Sequence, residues 1–256
     1  MKFMIKELIE YRHLLWMLTW RDIRIRYKQT VMGFAWVLFM PLLYVGAGLV
    51  IGRFAKIDSG RMPYPLFVMI GVLPWSFFVA SLKFSTNSLV ANLNLVTKIY
   101  FPREVLPLSS IGACFLDFLV ASLFIAVALA FYMARGEASI TPWALFVPIV
   151  MLSQILMTVG LGLLLAMANL LFRDIKYIVD GVLTVGVFVT AVYYPLGGLF
   201  MLNPMTPILN AYRDLLVYGH APDWMALSYV FTFGLIIFLV GWVSFHKGEF
   251  WFAENI

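Results

Sequence analysis

The sequence predicts an all-α polytopic membrane protein: six transmembrane helices, an N-terminal amphipathic interfacial helix, and an external re-entrant helical hairpin before the last span. Three observations predict it. Hydrophobic residues make up 63% of the 256-residue chain and charged residues only 12%, about half the charged share of a typical soluble domain. The apolar residues fall in long charge-free runs, at Val31–Gly52, Met62–Leu82, Ala138–Phe172, Gly181–Tyr212 and Trp224–Phe245. A helix rises about 1.5 Å per residue, so each run can cross a hydrocarbon core of about 30 Å. Finally, basic residues crowd ahead of the first run. An ordinary water-soluble enzyme is excluded.

In chain order, residues 1–30 come first. Trp16, Trp20, Ile23 and Tyr27 fall in one narrow stripe at 100° per residue, the pattern of a helix lying flat in a leaflet. Indole and phenol rings suit that depth because one end is apolar and the other polar. Arg24 and Arg26 flank the stripe and can snorkel to headgroups, so Arg21, Arg24, Arg26 and Lys28 are the candidate contacts for lipid phosphate. Spans are expected near 31–52, 64–90, 105–133, 142–171, 177–200 and 226–246. The 32-residue run from Gly181 is too long for one span and too short for two, and Pro195, Gly197, Gly198, Pro204 and Pro207 break its second half. Residues 201–222 are therefore read as re-entrant or interfacial, buried in protein or lining water. No linker or internal repeat divides the chain, and residues 1–256 read as one transmembrane domain.

Orientation follows the positive-inside rule. With the N-terminus inside, twelve Lys and Arg face the cytoplasm against five outside (Arg53, Lys56, Arg61, Arg135 and Arg213), with Lys83 within the membrane. Seven of the twelve precede the first span, so that segment alone sets both termini inside. No removable signal peptide is expected.

Chemistry for catalysis is sparse. His13, His220 and His246 are scattered without a second ligand at helical spacing, so no metal site is expected. The chain has no HExxH, CxxC, GxSxG or Walker A loop. The single cysteine, Cys114, reads as a packing residue. Lys83, Asp117 and Asp180 stand out, because an ionisable group in lipid is costly and commonly functional. Lys83 and Asp117, on successive antiparallel helices, are a candidate pair. Three such charges are few for an ion-coupled transporter. Aromatic residues reach 17%. Trp75, Phe77, Phe78, Tyr193 and Tyr194 are the candidate lining of a conduit, since aromatic faces suit sugar rings and their tips can hydrogen-bond hydroxyls. Gly48 and Gly52 form a GxxxG compatible with close helix packing.

Three stretches carry a resemblance. Trp20–Leu43 (WRDIRIRYKQTVMGFAWVLFMPLL) resembles the N-terminal signature of type-2 ATP-binding-cassette exporter permeases, most closely the branch exporting polysaccharides such as O-antigen, capsule and teichoic acid. Asn92–Ser109 (NLNLVTKIYFPREVLPLS) resembles that family's cytoplasmic loop between spans two and three, and Asn203–Trp224 its external segment before the last span. The resemblance implies a homodimer in the bacterial inner membrane that docks two copies of a cytosolic ATPase and carries a polymer on a polyprenyl diphosphate. ATP and Mg²⁺ would sit in that partner, with no cofactor in this chain, and no nucleic-acid partner is expected. It also places the coupling contact at Asn92–Pro107. There Lys98, Tyr100, Phe101, Arg103 and Glu104 are the candidate residues, because an exposed apolar cluster marks a contact. Three alternatives stay open: a permease for a drug, lipid or other small amphipathic molecule in the same superfamily, an integral-membrane glycosyl or lipid transferase, and an ion-coupled transporter.

Overall fold

The computed structural model describes residues 9–28, 33–57, 59–60, 62–98, 101–139 and 141–255, with side chains up to Gly248 except that of Phe34. Every regular element among them is helical. The order is α1 (Arg12–Tyr27), α2 (Trp36–Ala55), α3 (Tyr64–Ala91), the short α4 (Leu93–Lys98), α5 (Val105–Ala134), α6 (Val147–Leu171), α7 (Ile175–Gly186), α8 (Met205–Arg213) and α9 (Trp224–Asn255). Five helices among the described residues are long and apolar enough to cross a membrane: α2, α3, α5, α6 with the 3-10 turn Pro142–Phe146 ahead of it, and α9.

The expected helix over 177–200 is not continuous. α7 spans 12 residues, a 3-10 turn follows at Val187–Val189, and the chain then leaves helical geometry. Twelve residues rise only about 18 Å, well short of the hydrocarbon thickness. Thr190 is already extended, five residues before Pro195, so the proline, which has no N–H to donate and disfavours helical geometry at Tyr194, keeps the segment from resuming a helix rather than ending α7. The segment then re-forms as a 3-10 turn (Gly198–Leu202), α8 and a π turn (Asp214–Tyr218). Gly219, at φ +66°, ends it in the left-handed region.

α3 is the central helix. Leu66, Val68, Ile70 and Leu89 are fully enclosed, and α2, α5, α6, α7 and α8 all pack on it. Three of its buried hydroxyls are satisfied within the helix: Ser85 and Thr86 donate to the Leu82 carbonyl at 3.2 and 2.6 Å, and Ser88 donates to the Ser85 carbonyl at 2.7 Å. That is the cheapest way to bury a polar group without water. α6 and α9 form the most intimate pair. A Cβ on Gly160 would lie 2.5 Å from the Ile237 carbonyl, and one on Gly241 would lie 2.3 Å from the Gly160 oxygen. Where lipid is as apolar as the side chains, close backbone approach of this kind is what holds helices together. Gly48 and Gly52 serve differently, leaving room for the Tyr193 and Tyr64 rings.

α1 packs along the first half of α5. Ser109 and Ser110 both donate to Asp22 at 3.2 Å, and Arg26 reaches Asp117 at 2.8 Å. Trp16 and Trp20 stay 60% and 45% exposed on its outer side while Ile23 is buried. The aromatic stripe thus divides, with its two indoles outward and Ile23 against the bundle.

Candidate functional site

α2, α3, α5 and α7, with the C-terminal turn of α1, enclose a cavity of about 1030 Å³. α2 and α7 flank it and each packs on α3. Several wall residues, including Met40, Tyr44, Ile51 and Phe188, are themselves exposed, so the cavity is a groove open along one side. Of the five candidate conduit aromatics, Trp75, Phe77 and Tyr193 line it. Phe78 lies behind Trp75, ring centroids 5.7 Å apart. Tyr194 turns away from Tyr193 and donates its hydroxyl to the Phe188 carbonyl.

Polarity is graded along the groove. Tyr193 sits towards the end carrying residues 187–218, where Tyr64 of α3 donates to two carbonyls, Gly48 at 3.1 Å and Tyr193 at 2.9 Å. The charged wall residues gather towards the opposite end: Arg26 and Asp117, Lys83, Lys176 and Asp180. Asn169 fixes that level, donating to Thr86 of α3 at 3.0 Å and accepting from the Lys176 N–H at 3.2 Å. Lys83 pairs with Asp180 of α7 at 3.0 Å, not with Asp117. The carboxylate of Asp117 is taken by Arg26, whose guanidinium also donates to the Ser110 carbonyl at 3.3 Å and stacks on the Phe84 ring at 4.0 Å. Burial, and then the nearby Asp117, push the Tyr27 hydroxyl above its ordinary pKa.

The remaining sequence candidates are dispersed. Arg24 and Lys28 are exposed, with Arg24 over the Trp20 ring at 5.6 Å. Arg21 pairs with neighbouring Asp22 at 2.9 Å. Lys98, the last residue of α4, is exposed, and Arg103, in the loop that follows, is half-buried, while Tyr100 lies outside the described residues. Phe101 and Glu104 are only 6% and 4% exposed. Glu104 lies 3.4 Å from Nδ1 of His246 on α9. These two therefore tie the loop to the bundle, while Lys98 stays exposed.

Sequence reasoning missed the residue that organises the opposite end. Arg213, counted there as an external loop charge, is 2% exposed. Its guanidinium donates to the carbonyls of Val192 at 3.1 Å and Phe67 at 3.3 Å and to Asn210 at 3.3 Å, and stacks on the Phe67 ring at 3.6 Å. Beside it, Tyr212 donates to Gln154 at 3.0 Å, and Gln154 to the Pro74 carbonyl at 2.8 Å. The available signal was a cation ending a 32-residue uncharged run.

Chemically, the groove offers aromatic and aliphatic walls with paired charges and one excess cation at one end, and among the described residues its walls bring together no nucleophile and base. It can hold and pass an elongated amphipathic molecule. No protein-family model matches the chain. It is 29% identical over 249 residues to the O-antigen export system permease protein RfbA of Klebsiella pneumoniae, covering 94% of each chain. It is also 29% identical over 263 aligned positions to RfbA of Myxococcus xanthus, covering 99% of each. Identity to the polysialic acid transport protein KpsM of Escherichia coli is 22% over 241 residues, 90% of this chain and 91% of that one. Over nearly its whole length, then, the chain is a homologue of polysaccharide-exporter permeases of the type-2 ATP-binding-cassette class.

Proposed function

We propose that this chain is the permease subunit of an ATP-binding-cassette exporter that moves a lipid-linked polysaccharide across the bacterial inner membrane. The observation that carries the reading is the side-open groove with Trp75, Phe77 and Tyr193 in its walls, in a homologue of O-antigen permeases. A sliding polymer needs many weak, register-tolerant contacts, because a deep polar site would hold it in place, as with conduction sites in channels. In this reading two copies set their grooves face to face, and the partner's surface closes the open side. Five long helices cross the membrane, and α7 with the turn after it supplies the sixth, incomplete span. Residues 198–218 dip back from the external face as a re-entrant segment, and both termini are cytoplasmic. ATP and Mg²⁺ are bound by two cytosolic ATPase subunits, which press on the loop bearing Lys98 and Arg103. Arg24 and Lys28, outward on α1, meet lipid phosphate.

The test is genetic and chemical. Deleting the gene should remove the exported polymer from the cell surface and trap it, still lipid-linked, on the cytoplasmic side, with plasmid rescue. Normal surface polymer in the deletion strain, with loss of a small lipid or drug efflux, would turn the assignment to the small-molecule alternative.

A further inference from the structure

The two ion pairs in the groove differ in kind. Arg26–Asp117 has side chains only 15% and 18% exposed, and Arg26 is further held by the Ser110 carbonyl and the Phe84 ring. Lys83–Asp180 is 39% and 52% exposed and lines the groove. One turn before Asp180 on the same helix, Lys176 also lines the groove, its ammonium 4.7 Å from the Tyr177 ring. Lys83, Lys176 and Asp180 thus carry one excess positive charge on an accessible wall. Beyond them the groove turns largely apolar along Leu183, Val187 and Phe188, and it opens sideways where α2 and α7 flank it. Cations at one end of an apolar, side-open slot suit a molecule with an anionic head and a long hydrocarbon tail.

We propose that Lys83 and Lys176 form the subsite for the phosphate head of a lipid-borne substrate, with Asp180 as the counter-ion that holds Lys83 while the groove is empty. This rests on the export reading above and names the residues that would hold the head of its substrate. Asp180 neutralises the Lys83 ammonium while the groove is empty, and a phosphate, carrying more negative charge than one carboxylate, can take its place. The exchange has a structural consequence. In α7 only Val179 and Leu183 are buried, so loss of the Lys83 bridge frees that helix to move as the head arrives.

The test is binding of geranylgeranyl diphosphate to the full-length purified chain in phosphatidylcholine nanodiscs, followed by native mass spectrometry, with geranylgeraniol as the headless control. Lys83→Gln and Lys176→Gln should each weaken the diphosphate about tenfold and leave the alcohol unchanged. Asp180→Asn should tighten it, because the competing carboxylate is gone; a purely structural pair would give no gain. Unchanged affinity in both lysine variants, or weaker binding in Asp180→Asn, overturns the subsite. Phosphatidylglycerol separates the two possible sources of phosphate. Equal competition by it assigns the site to bilayer lipid and overturns the substrate role, whereas displacement by diphosphate alone supports it. The assay needs neither ATPase nor polymer, so its failure is distinct from a failure of the export reading.

Discussion

The guanidinium of Arg213 donates to the backbone carbonyl of Val192 at 3.1 Å, and the next carbonyl, of Tyr193, accepts from Tyr64 at 2.9 Å. Two consecutive carbonyls freed where α7 ends are therefore both taken by side chains of other elements. This joins α8, α3 and the segment carrying Tyr193, and it fixes the Tyr193 ring in the groove wall. Gly71 makes the approach possible, since a Cβ there would lie 2.4 Å from the Val192 oxygen and 2.6 Å from the Arg213 nitrogen.

Arg213→Met should accordingly cost about 1–3 kcal/mol, the penalty for leaving buried carbonyls unpaired. Arg213→Lys should recover only part of it, because an ammonium cannot fork between carbonyls while lying flat on Phe67. Thermal unfolding of the detergent-purified variants is the measurement. Equal stability of all three proteins would remove the keystone role.

The glycines divide into tolerant and intolerant positions. Gly160→Val should force α6 and α9 apart and destabilise by about 1–3 kcal/mol. Gly46 and Gly181 lie inside helices with nothing within 4 Å of a built Cβ, so alanine at either should be tolerated or stabilise by up to about 1 kcal/mol. Expression and melting temperature read the difference.

For α1, Asp117→Asn should loosen the helix from α5 by roughly 1–3 kcal/mol, below the cost of breaking a fully buried pair because both partners are partly exposed. The charge swap Arg26→Asp with Asp117→Arg should recover part of that loss. A double-mutant cycle with no coupling energy would assign the pair no role in holding α1.

At the loop after α4, two classes of variant should separate. Phe101→Ala should cost about 3–5 kcal/mol as a buried aromatic truncation and lower the yield of folded protein. Lys98→Glu and Arg103→Glu should leave insertion and yield normal while lowering ATPase docking or uncoupling hydrolysis from export. Full export by both charge variants with the ATPase still bound would move the coupling contact to another surface, with the outward face of α1 next in line.

Topology is open to labelling. Cysteines at Leu202 and His220, both exposed, in a Cys114→Ser background should each react with a membrane-impermeant maleimide from outside the cell. Reaction of one from each side would make residues 198–218 a crossing and set the span count anew.

The sequence by itself determined the solvent and the element lengths. Charge-free runs of 21 residues or more placed four of the five long helices, and the fifth, α5, was legible despite Asp117 because every other residue from Val105 to Ala134 is uncharged and most are apolar. Those are one-dimensional properties, set by the hydrocarbon thickness and the rise of a helix. Helix partnership is not one-dimensional. Asp117 and Lys83 looked like mutual partners because they lie on successive helices, yet tertiary packing brings α1 to Asp117 and α7 to Lys83. Arg213 looked like a loop charge, yet the fold buries it on the Phe67 carbonyl of α3 and on the Val192 carbonyl, which lies outside any helix because α7 stops short. Trp75, Phe77 and Tyr193 line the groove while Phe78 and Tyr194, one residue away, do not. Neighbours in sequence project in different directions, and which direction faces the groove is set by how α2, α3, α5 and α7 are rotated against one another, something no composition or run length encodes.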